Sequence, residues 1–396
     1  MSEEILPADI TQPNEPAPPR SLRELIDRVT GRGLPSLVEA GDAGLAENLP
    51  YPFLALVGQM EMKVALLLSL INPAVGGVLL IGPRGTGKTT AVRSLVGLLP
   101  DVPRSLCHYG CMPEDIEAGG IDAVCPDCAQ KYGRGEPLAR MDRVRLTELP
   151  LNATINDVVG GLDERAALHD RMRLQRGILA NADQNLLHID EVNLLGDDIV
   201  DAILDAAAQG RYTVRRGLMS ATYRARFILV GSMNPEEGRL RPQILDRFGL
   251  RLIVRGLTKP EDRLEAYRRA HAYLRNPRAL INQYDLETAI AREEIQNARE
   301  NLSQVSLPDN VAQAGLQLIH RMGIDSLRAE ITLFEAARAY AAADNRHKVQ
   351  QDDLRQVAPM ALRLRRSSYM EAFFAERKSE EEEIAGNISE VLARGE

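Results

Sequence analysis

Tryptophan is absent from this 396-residue chain, and aromatic residues make up only 4% of it. A platform for single-stranded nucleic acid needs successive ring faces on which bases can stack, so the composition speaks against that class of binder. Positive charge is also in short supply. Against 48 Lys and Arg stand 56 Asp and Glu, a formal net charge of −8. A broad grip on a phosphate backbone is therefore not expected, although a local basic patch is compatible with this balance. The longest largely apolar run, Val64 to Ile71, is interrupted by Ser69 and too short to span a bilayer, so no membrane insertion is expected. The opening MSEEILPADI is acidic and has no basic start followed by an apolar stretch, so no secretory signal is visible and a cytoplasmic location is expected. Four cysteines are too few for a disulfide scaffold in a chain of this length and fit a reducing compartment. What remains is an ordinary folded composition, 44% hydrophobic and 26% charged, with length enough for two or three domains.

Residues 1–20 carry several prolines and little apolar periodicity, and read as a flexible tail. A helix is predicted over Ser21 to Thr30, with Ser21 as N-cap and Glu24 as its capping-box partner. Short apolar runs at 77–81, 186–189 and 227–230 have the length of buried strands. Helical patterns lie between them at Thr89–Leu99, Leu162–Ala180 and Asp197–Gln209. This alternation predicts an α/β domain with a parallel sheet over 21–257. Residues 101–145 hold all four cysteines, several Gly and Pro and little periodicity, and read as an irregular insertion. Segments around Gly217, at 212–214 and 220–223, suggest a hairpin. From 258 to 375 only helical patterns occur, at 261–274, 285–302, 309–322, 329–343 and 351–366, which predicts an all-helical second domain. The tail at 376–396 is acidic.

The segment Gly82-Pro83-Arg84-Gly85-Thr86-Gly87-Lys88-Thr89, followed by Thr90, matches G-x-x-x-x-G-K-[ST] between a strand and a helix. Glycines let the backbone wrap closely around phosphates with its N–H groups turned inward, and the following helix presents its positive end to the same anion. Lys88 can reach the outer phosphates, and the Thr89 hydroxyl can ligate Mg²⁺. The apolar run 186–189 ends in Asp190-Glu191. Asp190 suits the Mg²⁺ sphere, and Glu191 suits a general base that polarises an attacking water. ATP and Mg²⁺ are the cofactors implied.

These two motifs, with Gly231-Ser-Met-Asn-Pro-Glu-Glu-Gly238 and Leu240-Arg-Pro-Gln-Ile-Leu-Asp-Arg-Phe-Gly249, resemble the AAA+ ATPases. More narrowly, Asp190-Glu-Val-Asn-Leu-Leu195 and Asn234-Pro-Glu-Glu-Gly238 are similar to the I subunit of magnesium chelatase, and the likeness runs from about Pro52 to Arg366. The resemblance implies a P-loop AAA+ domain with a parallel sheet, a C-terminal helical domain and a ring, expected to be a hexamer. It implies that Asn234 stands at sensor 1 and orients the attacking water. Arg247 stands at the arginine finger that completes a neighbour's site, and Arg328 at sensor 2. It implies ATP hydrolysis that drives Mg²⁺ insertion into protoporphyrin IX, with a D subunit and a porphyrin-holding H subunit as partners and no nucleic acid. A motor for cobalt insertion, or a remodelling ATPase that matures another metalloenzyme, would share nearly all of these residues.

Two features stand apart. The segment 209–226 is Arg-rich, with Arg211, Arg215, Arg216, Arg224 and Arg226. It reads either as a contact with a partner or the ring pore, or as a solvated hairpin. Cys107-x₃-Cys111 and Cys125-x₂-Cys128 form two close pairs that depart from the I-subunit pattern. Their spacing suits a structural Zn²⁺ site, with His108 as an alternate ligand. A disulfide at Cys125–Cys128 and four free thiols are the other readings.

Overall fold

Helix α1 (Met60–Ile71) leads to strand β1 (Val78–Ile81), which is followed by α2 (Lys88–Ser94) and a 3₁₀ turn at Leu95–Leu98. This computed structural model describes residues 49–107, 109–162, 174–217, 219–238 and 240–366. The expected N-terminal tail, the helix at 21–30 and the acidic tail at 376–396 lie outside the described residues. The chain continues through β2 (Val102–Ser105), α3 (Pro113–Gly119), α4 (Pro126–Gly133), β3 (Ala139–Asp142) and β4 (Leu146–Leu149). Then come α5 (Ile155–Val159), α6 (Ile178–Asn181), β5 (Leu186–Ile189), α7 (Asp197–Gln209), β6 (Arg211–Arg216), β7 (Met219–Arg224) and β8 (Ile228–Met233). The last strand, β9 (Leu250–Ile253), follows α8 (Pro242–Arg247). Beyond it the described residues form the helices α9 (Pro260–Arg275), α10 (Pro277–Gln283), α11 (Asp285–Asn301), α12 (Asp309–Arg321), α13 (Leu327–Ala343) and α14 (Gln351–Leu362), with one isolated bridge between Ser306 and Lys348.

The main sheet has five strands in the order β4-β5-β8-β1-β9, and every pairing is parallel. Strands β1, β5 and β8 are buried along their whole length, which explains why they are near-continuous apolar runs rather than alternating ones. Successive side chains go to opposite faces. Val78, Leu80, Leu186, Val230, Leu250 and Leu252 join one core with residues of α1, α2 and α11 to α14. Leu79, Ile81, Leu187, Ile189, Leu229 and Met233 join the other core with α5 to α8. The parallel α/β architecture and the helical C-terminal part are as the patterns predict.

Five details differ from the sequence reading. The insertion is not irregular: β2 and β3 pair antiparallel, and α3 and α4 lie between them around a small core of their own. Strand β4 was not anticipated, because four residues with two leucines carry almost no periodicity. Strand β9 was hidden by a buried charge, Arg251, in an otherwise apolar run. The helix expected over 162–180 is helical among the described residues only at Ile178–Asn181, and Leu162 instead pairs antiparallel with Leu174. The hairpin forms as β6–β7, with Tyr212 opposite Tyr223. Helix α14 stops before Arg366. Leu364 adopts φ 58°, and the carbonyls of Arg363 and Leu364 accept hydrogen bonds from the Arg251 guanidinium at 3.3 and 2.7 Å.

Candidate functional site

Three neighbouring parallel strands end on one edge, with Ile81 paired to Met233 and Ile189 to Gly231. The carboxyl edge of a parallel sheet is where such folds bind ligands. The glycine-rich loop leaves β1 there, Asp190-Glu191 leaves β5, and Asn234 leaves β8. Parallel pairing thus converts three distant motifs into one site.

Gly82 lies so close to β9 that a Cβ would sit 2.1 Å from the Val254 carbonyl oxygen. Gly85 and Gly87 have φ of 76° and 85°, and nothing lies within 4 Å of where their Cβ atoms would project. The loop is therefore an open backbone cradle, which fits a phosphate chain. Thr86 Oγ1 donates to the Pro83 carbonyl at 3.0 Å and braces the turn, whereas Thr90 is exposed. Lys88 is buried, and its Nζ donates to the Gly82 and Pro83 carbonyls at 2.7 and 2.8 Å. Burial lowers its pKa against the pull of Asp190, Glu237 and Glu191.

Thr89 Oγ1 stands 3.4 Å from Asp190 Oδ2, so the two oxygens suited to a divalent ion face each other. Ser232 Oγ donates to Asp190 Oδ1 and accepts from the Glu191 amide at 3.3 Å. Glu191 adopts φ 52°, an uncommon conformation for a non-glycine residue that recurs at functional sites. Its carboxylate pairs with Arg84 Nη2 at 3.0 Å, and Arg84 Nε reaches Glu237 at 2.6 Å. Asn234 is buried, and its Nδ2 donates to Glu237 Oε1 at 3.1 Å. That amide, and then Arg84, hold the Glu237 carboxyl below the usual range. Lys88, Thr89, Asp190, Glu191 and Asn234 are thus brought together. Ser232 and Glu237 belong to the same group and were missed by the sequence reading. Ser232 carried a signal, a hydroxyl inside an otherwise apolar strand.

Arg247 and Arg328 do not join this group. Arg247 ends α8, and its Nη1 contacts Asp201 and Asp205 of α7 at 3.1 and 2.9 Å. Arg328, in the first turn of α13, is half exposed and lies 3.9 Å from Asp246. Asp246, next to Arg247 in the chain, also accepts from Ser326 at 3.0 Å, from Arg365 at 2.9 Å and from Arg251 at 3.4 Å. One carboxylate therefore ties the Arg247 helix to the C-terminal helices. No sequence pattern pointed to it.

The second constellation is the cysteine cluster. The sulfurs of Cys107, Cys111, Cys125 and Cys128 all lie within 4.8 Å of one another, with Cys107 to Cys111 at 3.8 Å and Cys107 to Cys125 at 3.5 Å. None of the four is joined in a disulfide. The Tyr109 amide donates to Cys107 Sγ at 3.2 Å and the Cys125 amide to Cys111 Sγ at 3.3 Å, contacts that suit sulfurs carrying negative charge. Burial acts to raise the Cys107 pKa, but the Tyr109 amide and the neighbouring thiols outweigh it and leave that thiol below its ordinary value. Burial pushes Cys111 up to about 11 and raises Cys128 further. His108 lies outside the described residues. In the Arg-rich hairpin, Arg216 bonds Asn156 at 2.6 Å, and Arg224 and Arg226 reach carboxylates, while Arg211 and Arg215 are exposed.

Residues 161–255 match the family model for magnesium chelatase, subunit ChlI, and residues 316–386 match an AAA lid domain. The chain is 42% identical to a magnesium-chelatase subunit ChlI homolog of Methanocaldococcus jannaschii, over 81% of this chain and 87% of that protein. It is also 42% identical to the magnesium-chelatase 38 kDa subunit of Acidiphilium rubrum, over 80% of this chain and 90% of that one. A solved structure of a putative ATPase from Cytophaga hutchinsonii matches with a TM-score of 0.50 at 19% identity, over 79% of this chain and 84% of that one, a likeness of fold alone. A phosphate cradle, paired acids and a buried asparagine on one sheet edge, joined to sequence identity of this level over four-fifths of the chain, place it in a family: the chain belongs to the ChlI subunits of magnesium chelatase and their homologues.

Proposed function

We propose that this chain is the ATP-hydrolysing motor subunit of a magnesium chelatase, driving Mg²⁺ insertion into protoporphyrin IX with D and H partner subunits. The observation that carries the reading is the meeting of Lys88, Thr89, Asp190, Glu191 and Asn234 at the ends of β1, β5 and β8, in a chain of this family. Bound Mg²⁺ would neutralise phosphate charge and polarise the terminal phosphoryl group. The amides of Gly85 to Lys88 would bind the phosphates, and Thr89 and Asp190 would hold the ion. Glu191 would accept the proton of the attacking water at its carboxylate, and Asn234 would orient that water through its side-chain amide. Release of Glu191 from Arg84 would precede this step, because the ion pair occupies the carboxylate.

Arg247 lies against α7, away from its own chain's phosphate loop partners, which supports a role in a neighbour's site and a closed ring, proposed to be a hexamer. Arg328 and Asp246 would couple the helical part, divided from the sheet near residue 257, to that ring contact. The cysteine cluster is proposed to hold a structural Zn²⁺. Four sulfurs at about 2.3 Å from one ion lie about 3.8 Å apart, close to the spacing present.

The test is metallation of protoporphyrin IX by the purified chain with candidate D and H partners, ATP and Mg²⁺, followed by product fluorescence. Mg-porphyrin formation that needs this chain supports the reading. Absence of product with partners that work beside a known I subunit overturns it.

A further inference from the structure

The cysteine insertion joins the main core at its ends, through Val102 and Val144, and meets the β6–β7 hairpin through charged side chains. Among the described residues its own core contains five buried side chains, Cys111, Ile116, Val124, Cys128 and Leu138, two of them cysteines. So small an apolar core does not hold a fold by burial alone, and modules of this size ordinarily need a metal or a disulfide staple. Helix α3 begins at Pro113, two residues after Cys111, so anything that fixes Cys111 also fixes the start of α3.

Helix α3 in turn holds the base of the Arg-rich hairpin. Arg224, the last residue of β7, reaches Glu114 at 3.1 Å and also pairs with Asp115. Arg226 lies 3.8 Å from Glu114. A second contact runs beside it. A Cβ on Gly110 would come within 2.4 Å of the Arg176 guanidinium, and that guanidinium lies 5.9 Å from the centre of the Tyr223 ring on β7. The hairpin has other tethers that do not involve the insertion: Arg216 to Asn156 and to the Gly160 carbonyl on β6, and Arg226 to Asp183 at 3.3 Å just past β7.

We propose that the metal ion in the four-cysteine site is the clamp that holds the base of the β6–β7 hairpin, acting through Cys111, the start of α3 and the Glu114–Arg224 pair. This rests on the Zn²⁺ reading of the cluster. The ion sets how firmly β7 is held against the insertion, and it takes no part in phosphate chemistry. It makes an otherwise core-poor insertion rigid enough to position the strand whose exposed arginine-bearing partner, β6, faces outward with Arg211 and Arg215.

The test is hydrogen–deuterium exchange on the full chain without nucleotide, with Zn²⁺ counted per chain by elemental analysis before and after chelation. One Zn²⁺ per chain is expected, with slow exchange over 219–226. Chelation should accelerate that exchange about tenfold, the effect of loosening a charge-assisted pair. Peptides of β6 near Arg216 should change less. Arg224→Gln should keep its Zn²⁺, exchange fast at 219–226 even when metallated, and respond little to chelation. A chain without bound Zn²⁺ would overturn the metal reading itself. A chain with one Zn²⁺ whose 219–226 exchange is the same before and after chelation would overturn the clamp and leave the metal site standing. Arg224→Gln indistinguishable from wild type in both states would overturn the assigned route. Cys128→Ser should reproduce the chelated state, and far-UV circular dichroism would show whether the main fold persists.

Discussion

Asp246 is the residue whose removal should show most about how the two halves of the chain communicate. Its carboxylate stands between two guanidiniums whose side chains are only 1% and 0% exposed, Arg251 and Arg365. Burial, and then repulsion from Arg365, lower Arg251 to about 10, and burial lowers Arg365 as well, so the pair is held charged against its surroundings. Backbone carbonyls satisfy many of their N–H groups, but those dipoles do not cancel two like charges. Taking away the one carboxylate between buried cations costs about 3–5 kcal/mol. Asp246 is partly exposed, so the lower figure applies, and about 3 kcal/mol corresponds to about a hundredfold faster local opening. Asp246→Ala should therefore speed hydrogen exchange about a hundredfold in β9 and around 361–365, with nucleotide affinity at the loop within about twofold of wild type. Arg365→Met added to it should cost less than the sum of the two single changes, because the second removes the charge that the first left stranded. Exchange within about threefold of wild type in Asp246→Ala, or strict additivity in the double variant, would show that Asp246 does not neutralise the buried pair.

Lys88→Ala removes the buried ammonium that donates to the Gly82 and Pro83 carbonyls, and calorimetry on the folded variant should find nucleotide binding weakened by at least about a hundredfold. Gly82→Ala forces a methyl group against the Val254 carbonyl, so thermal unfolding should show a loss of about 2–4 kcal/mol; an unchanged melting temperature would contradict that contact. Contact with His188, and then the Arg93 pair, holds the Glu148 carboxyl at about 2 against an ordinary 4.5. A depressed carboxylate contributes stability above its unfolded value and loses it as pH falls towards its folded one, so the stability gap between wild type and Glu148→Gln should close between pH 4.5 and about 2 in acid titrations. A gap that persists at the acid end would contradict the pairing.

Much of the site could be read from the sequence because its chemistry is local. The cradle needs glycines and a lysine within eight residues, and Asp190-Glu191 follow a run buried on both faces. The strands β1, β5 and β8 were legible for the same reason, since strands covered on both sides are unbroken apolar runs. Strand β9 was not, because Arg251 is stabilised by carbonyls more than a hundred residues away. The insertion was misread as irregular because cysteine counts as a ligand in a sequence but also serves as core in the fold. Asp246 was invisible for a comparable reason: Ser326, Arg328 and Arg365 reach it from distant segments, and no spacing rule joins them. Arg84, taken as a loop residue, proves to bridge Glu191 and Glu237.

We propose that ATP is hydrolysed at a site shared between neighbouring copies, with Glu191 from one and Arg247 from the next. Phosphate release should be measured for Glu191→Gln, for Arg247→Ala and for their mixture. Each variant alone should bind nucleotide and lose about a thousandfold in turnover. In the mixture, interfaces that combine an intact Glu191 with a neighbour's intact Arg247 should recover a substantial fraction of wild-type activity. A mixture that assembles and binds nucleotide yet stays as inactive as its parts would contradict the shared site.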